Sequence, residues 1–97
     1  MRIEITRSGG FAGVRLHVVV DSAALPEAER RSLEATIEQV GFFALPARLA
    51  SGTPDMHQYD VTIEREGAQH RVRVDEDAAP EALRGLLRRL VERARGE

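Results

Sequence analysis

Gln58-Tyr59-Asp60-Val61-Thr62-Ile63-Glu64-Arg65-Glu66-Gly67-Ala68-Gln69-His70-Arg71-Val72-Arg73-Val74 reads as a β-hairpin. Apolar and polar residues alternate on both sides of Glu66-Gly67, the period-two pattern of half-buried strands. Glu66-Gly67 itself is a two-residue turn. Setting Arg65 opposite Ala68 fixes the register. Ile63 then faces His70, Val61 faces Val72 and Tyr59 faces Val74. On the other side Thr62 faces Arg71 and Asp60 faces Arg73, which predicts an exposed Asp60–Arg73 ion pair. A slip of one residue would send every apolar side chain to the wrong face, so the pattern specifies the pairing.

The N-terminal segment repeats the pattern. Arg2 to Thr6 is a strand with Ile3 and Ile5 inward. Val14 to Val20 is a second, with Val14, Leu16, Val18 and Val20 inward, and Asp21-Ser22 ends it. Between them lies Arg7-Ser8-Gly9-Gly10-Phe11-Ala12-Gly13. Glycine takes φ > 0 without steric cost, so this is a backbone-permissive connection. It is longer than a tight turn and carries an aromatic at its tip. Phe11 either folds back as a lid over the sheet end or stands out as a recognition side chain.

Leu25-Pro26-Glu27 opens a helix, because proline in a first turn gives up an N–H that would be unpaired anyway. Glu27 and Glu29 favour the positive end of its dipole. Leu33, Ile37 and Val40 form its apolar stripe. Gly41 is a left-handed stop, with Phe42 packing back on the last turn. Phe42-Phe43-Ala44-Leu45-Pro46 is expected to plug the core. The Pro-, Gly-, Ser- and Thr-rich segment from Pro46 to Met56 is the longest loop. After Asp75–Ala79, with Asp77 as a candidate cap, comes a second helix. Leu83, Leu86, Leu87, Leu90 and Val91 give it one clear stripe, and Arg84, Arg88, Arg89 and Arg93 coat the rest.

The order ββαββα predicts an α+β fold in a single domain, residues 1–97. One four-stranded antiparallel sheet carries both helices packed on one face. If the first helix runs back along the second strand, the glycine connection, the loop after Phe43 and the 75–79 link share one end. The Glu66-Gly67 turn then lies at the opposite end.

Composition narrows the function. The chain has 97 residues, enough for one modest core. A net charge of −2 offers no strong field for nucleic acid or an anionic membrane. There are no cysteines, so disulfides and thiolate zinc sites are excluded. No signal peptide or membrane-length apolar run is evident, and the expectation is a cytoplasmic monomer. All 14 basic residues are arginine, which with abundant Ala and Gly suggests a GC-rich bacterial genome.

No catalytic constellation emerges. His17, His57 and His70 have no metal-ligand spacing, so no metal or cofactor is expected. Ser8 lacks the strand-to-helix setting of a nucleophile elbow. The glycine connection leads into a strand and lacks the Lys-Ser/Thr of a phosphate cradle. Asp75-Glu76-Asp77 is too short for a calcium loop. A small platform with loops at one end favours a binding module over an enzyme.

Met1 to Gly13, with its Ser-Gly-Gly-Phe-Ala-Gly segment, resembles the opening of the emfourin family of protealysin inhibitors. Further likeness lies in Leu25-Pro26, Gly41-Phe42-Phe43-Ala44-Leu45-Pro46, Asp55 with Tyr59, Val61-Thr62-Ile63-Glu64, His70-x-Val72-x-Val74 and Pro80-x-x-Leu83-x-x-Leu86-Leu87. The resemblance implies a tight, reversible inhibitor of thermolysin-like zinc metallopeptidases, which is not itself an enzyme. The expected partner contacts are Ser8, Gly9, Gly10, Phe11, Ala12 and Gly13, with Arg7, Arg48 and Leu49 at the rim. Phe11 is expected to fill the apolar pocket that such enzymes offer just past the scissile bond. The alternative is an accessory or regulatory protein-binding domain with no protease target, using its polar sheet face or arginine-coated helix.

Overall fold

In the computed structural model, which describes residues 1–9, 15–54 and 56–96, the alternating segments pair as the sequence predicts. β4 (His57–Arg65) and β5 (Ala68–Asp75) form the antiparallel hairpin, with Ile63 against His70, Val61 against Val72 and Tyr59 against Val74. Both turn residues take positive φ, 51° at Glu66 and 80° at Gly67, the twist a two-residue connection needs. The Asp60–Arg73 ion pair does not form. Arg71 Nη2 donates to Asp60 Oδ1 at 3.3 Å, and Arg73 Nη2 donates to Gln58 Oε1 at 3.1 Å. Each long arginine reaches diagonally, past the residue directly opposite.

β1 (Arg2–Gly9) and β2 (Leu16–Asp21) make the other hairpin, with Ile5 opposite Val18. β1 also pairs antiparallel with β4, Ile3 opposite Ile63. β1 runs three residues beyond the predicted Arg2–Thr6. Arg7, Ser8 and Gly9 pair with Tyr59, Gln58 and His57. Gly10, Phe11, Ala12, Gly13 and Val14 lie outside the described residues, as does Asp55.

The sheet is five-stranded and mixed, in the order β2-β1-β4-β5-β3, which corrects the four-stranded antiparallel prediction. The added strand, β3 (Arg48–Leu49), lies inside the segment read as loop. It runs parallel to β5, Arg48 opposite Arg73 and Leu49 opposite Val74. Two residues have no period, so hydrophobic alternation could not announce them. Arg73 N donates to Ala47 O at 2.8 Å, and His70 Nε2 stands 2.8 Å from Leu45 O.

α1 (Glu27–Val40) begins after Pro26 and stops at Gly41, whose φ of 67° and ψ of 42° are left-handed. Its course departs from the predicted return along β2. It starts beside the β2 exit, where Ser22 N donates to Met1 O. It finishes where Arg65 Nη1 donates to Glu38 Oε2 at 2.8 Å and Phe42 meets the His70 ring edge-on at 5.5 Å. Both ends of α1 therefore stand at the Glu66-Gly67 end, and the helix crosses from the β2 edge to the β5 edge. Fourteen residues rise about 21 Å, enough to cross four strands spaced about 4.8 Å apart.

α2 (Glu81–Gly96) completes the core with Leu83, Leu86, Leu87, Leu90 and Val91, all buried against the inward rows of the sheet. Burial of each such side chain contributes about 2 kcal/mol. A single turn, Glu76–Ala78, precedes α2. Asp77 sits in that turn and serves a loop, described below, rather than capping α2. Gly9, Leu16, residues 51–54 and residues 75–79 share the end of the sheet opposite Glu66-Gly67. The segment after Phe43 reaches that end only after passing along β5 as β3.

Candidate functional site

The strand ends set the geometry. Arg7, Ser8 and Gly9 are the last three residues of β1, so the ladder with β4 carries the chain rigidly to the start of the glycine connection. Gly9 has φ +86°, and a Cβ there would stand 2.6 Å from Met56 O. Only glycine allows β1 to pass this close to the chain entering β4. Gly10, Phe11, Ala12 and Gly13, the tip of the expected contact surface, fall outside the described residues.

Arg48 and Leu49 are not adjacent to that surface. β4 and β5 separate β3 from β1, a gap of three strand spacings or roughly 14 Å. They share its level all the same. Leu16, Arg7, Tyr59, Val74 and Leu49 are successive partners in one row across all five strands.

Beyond β3 the chain is fastened to the link between β5 and α2. Ser51 N donates to Asp75 Oδ2 at 2.9 Å, and Thr53 Oγ1 donates to Asp77 Oδ2 at 2.8 Å. Thr53 N donates back to Ser51 Oγ at 3.2 Å, which closes the loop on itself. Hydrogen bonding from the Ser51 and Thr53 side chains holds the Asp77 carboxyl below its usual value. The Thr53 hydroxyl is the one seated on Asp77, whereas Ser51 Oγ lies 3.5 Å from Asp75 Oδ2. Asp75 and Asp77 thus tether the segment after β3.

The inward side of this end is polar. Tyr59 is buried, and its hydroxyl donates to Glu76 Oε2 at 3.2 Å. His57 Nδ1 stands 3.9 Å from the same oxygen. Burial, and then the Glu76 charge, push the Tyr59 phenol above its ordinary value, while Arg7 beside it pulls the other way. His57 and Glu76 escape sequence inspection here, because each lies at the margin of a strand with no periodic signal of its own. The available signal was the phase of Arg7. It follows Ile3 and Ile5 at period two and so faces inward with them.

Among the described residues, no group of three or more His, Cys, Asp or Glu side chains stands close enough to hold a metal ion. No helix among them is long and apolar enough to cross a membrane. What this end of the sheet offers, among the described residues, is a loop at 51–54 tied by hydrogen bonds to the 75–77 turn.

Comparison with curated proteins and with solved structures gives no match. The Emfourin family model matches residues 5–91, which take in most of β1, the four other strands, α1 and the first two-thirds of α2. The chain belongs to the Emfourin family.

Proposed function

We propose that this protein is a reversible, tight-binding inhibitor of thermolysin-like, protealysin-like zinc metallopeptidases. It occludes the active-site cleft with the loops at the Gly9 end of the sheet and carries out no chemistry of its own. Membership of the Emfourin family supports the inhibitory role. The observation that carries the mode of action is Gly9, locked by the β1–β4 ladder and passing too close to Met56 O for any side chain. It hands a glycine-rich connection to the partner from a fixed root. A preorganised root loses little freedom on docking, which favours tight binding.

Phe11 is the anchor in this proposal. Its ring enters the apolar pocket next to the scissile-bond position, with Gly10, Ala12 and Gly13 allowing close backbone approach. Substrate and the catalytic water are then excluded together. Arg7, Ser8 and Gly9 support the anchor, and Arg48 and Leu49 form a rim on the same level. The inhibitor works as a cytoplasmic monomer.

The test is a titration of thermolysin-like peptidases with the protein at enzyme concentrations well above the inhibition constant. The expected result is a linear fall of peptidase activity that ends near one equivalent. Full activity across such a panel at large molar excess overturns the proposal and leaves a protein-binding domain without a protease target.

A further inference from the structure

Arg7 is a charged residue in an apolar phase. Ile3 and Ile5, its predecessors on the same face, are each 1% exposed. At the end of that row Arg7 comes up against α2 and lines a cavity of about 290 Å³ together with Arg84 and Arg88. None of these three arginines forms an ion pair among the described residues. Arg84 Nη2 donates to Ala79 O at 3.1 Å, but its buried Nε has no partner among the described residues. That Nε is covered by protein, so Arg84 brings to the cavity a positive charge that no carboxylate among the described residues offsets by direct pairing.

The acidic residues of the cavity do not discharge it. Glu76 already accepts from the Tyr59 hydroxyl and faces His57, and Glu92 is exposed. Guanidinium groups therefore outnumber carboxylates in the lining. The surplus is small, which suits a singly charged anion. A dianion such as phosphate would also meet the repulsion of Glu76 and Glu92. Arginine forks match the two oxygens of a carboxylate.

We propose that this cavity receives a carboxylate, the side chain of an aspartate or glutamate that the peptidase partner presents beside its cleft. The proposal rests on the inhibitory function above. It adds a second point of attachment, because Arg7 lies two residues before Gly9 and at the same end of the sheet. A protein seated on the glycine connection lies alongside the mouth of the cavity. The α2 surface, bypassed by the expected contacts, then becomes part of the interface.

Arg88→Glu and Arg7→Gln test it in the inhibition assay. Arg88 is exposed, so its charge reversal leaves the core untouched. Both variants are expected to raise the inhibition constant about tenfold at low salt, and Arg88→Glu to flatten its salt dependence. Wild-type constants in both variants, with Phe11→Ala still weakening inhibition, overturn the carboxylate site and leave the inhibitor reading standing. If the wild-type protein inhibits no peptidase, the inhibitor reading fails, and the cavity is judged directly by NMR with N-acetylaspartate amide as probe. Shifts of the Arg84 Nε–H resonance that saturate on the order of 10 mM, and vanish in Arg7→Gln, support the site. Shifts that stay linear and match those of Arg30 and Arg31 overturn it.

Discussion

Thr53 Oγ1 donates to Asp77 Oδ2 at 2.8 Å, a bond that joins residues 24 positions apart and pins the segment after β3 to the root of α2. The bond is stronger to an ionised Asp77 than to a protonated one. The folded carboxyl ionises below 3.8, its ordinary value, because the Ser51 and Thr53 side chains stabilise the anion. The contribution of the ionised Asp77 is therefore complete above the ordinary carboxylate range and is lost as pH falls through the lowered value. Asp77→Asn is expected to speed amide exchange at Thr53 and Ser51 at neutral pH, with almost no change in Tm. Unchanged exchange at both amides would show that the tether does not hold the loop.

Tyr59 is the one tyrosine of a chain without tryptophan, so its ionisation can be followed alone by ultraviolet absorbance. Burial and the Glu76 charge raise its folded value above 10.0. The sign follows from the raised value. The stabilisation is fully present below 10.0 and is lost as pH rises through the folded value. Glu76→Gln should bring the transition down towards the ordinary value, and Arg7→Gln should push it further up. A shift in the same direction for both variants would contradict the placement of the phenol between the two charges.

Two glycines with similar φ should respond differently to alanine. At Gly9 a Cβ meets Met56 O at 2.6 Å, and at Gly52 it meets nothing within 4 Å. Gly52→Ala carries only the strain of left-handed backbone, about 1 kcal/mol. Gly9→Ala adds a collision with backbone and should lose about 3 kcal/mol in urea denaturation. It should also impair inhibition by displacing the root of the glycine connection. Equal losses at the two sites would show that the close approach of β1 to Met56 is unimportant.

Phe11→Ala is expected to weaken peptidase inhibition by about 2 kcal/mol, the scale of an anchor side chain at an interface centre. The folded stability should stay at the wild-type level. Inhibition as strong as the parent's would remove Phe11 from the anchor role.

Much of this architecture is written in short-range patterns. The register of β4 on β5 follows from alternation around Glu66-Gly67, and every predicted partner pair is observed. Gly41 ends α1 in the left-handed conformation that its position after Val40 implies. The stripe from Leu83 to Val91 is buried throughout. What escaped is what periodicity does not encode. β3 is too short to alternate, and its parallel pairing joins residues about 25 positions apart. The path of α1 across the sheet is set by where Glu38 and Phe42 find Arg65 and His70, contacts between segments far apart in the chain. The diagonal reach of Arg71 and Arg73 depends on side-chain length rather than on register. At the candidate site, Arg7 was grouped with the glycines after it, although its phase belongs with the isoleucines before it.

β3 also makes the sheet unequal in its two margins. β5 is already bonded along its inner side to β4, so the strip from Pro46 to Pro54 can peel away and leave the other four strands in place. A strip bonded to the sheet along one side only has the arrangement from which local opening can proceed below the energy of global unfolding. Its clasps are the carboxylates of Asp75 and Asp77. At neutral pH a docking protein meets this margin held by an ionised Asp77, and below the lowered Asp77 value it meets a weaker clasp.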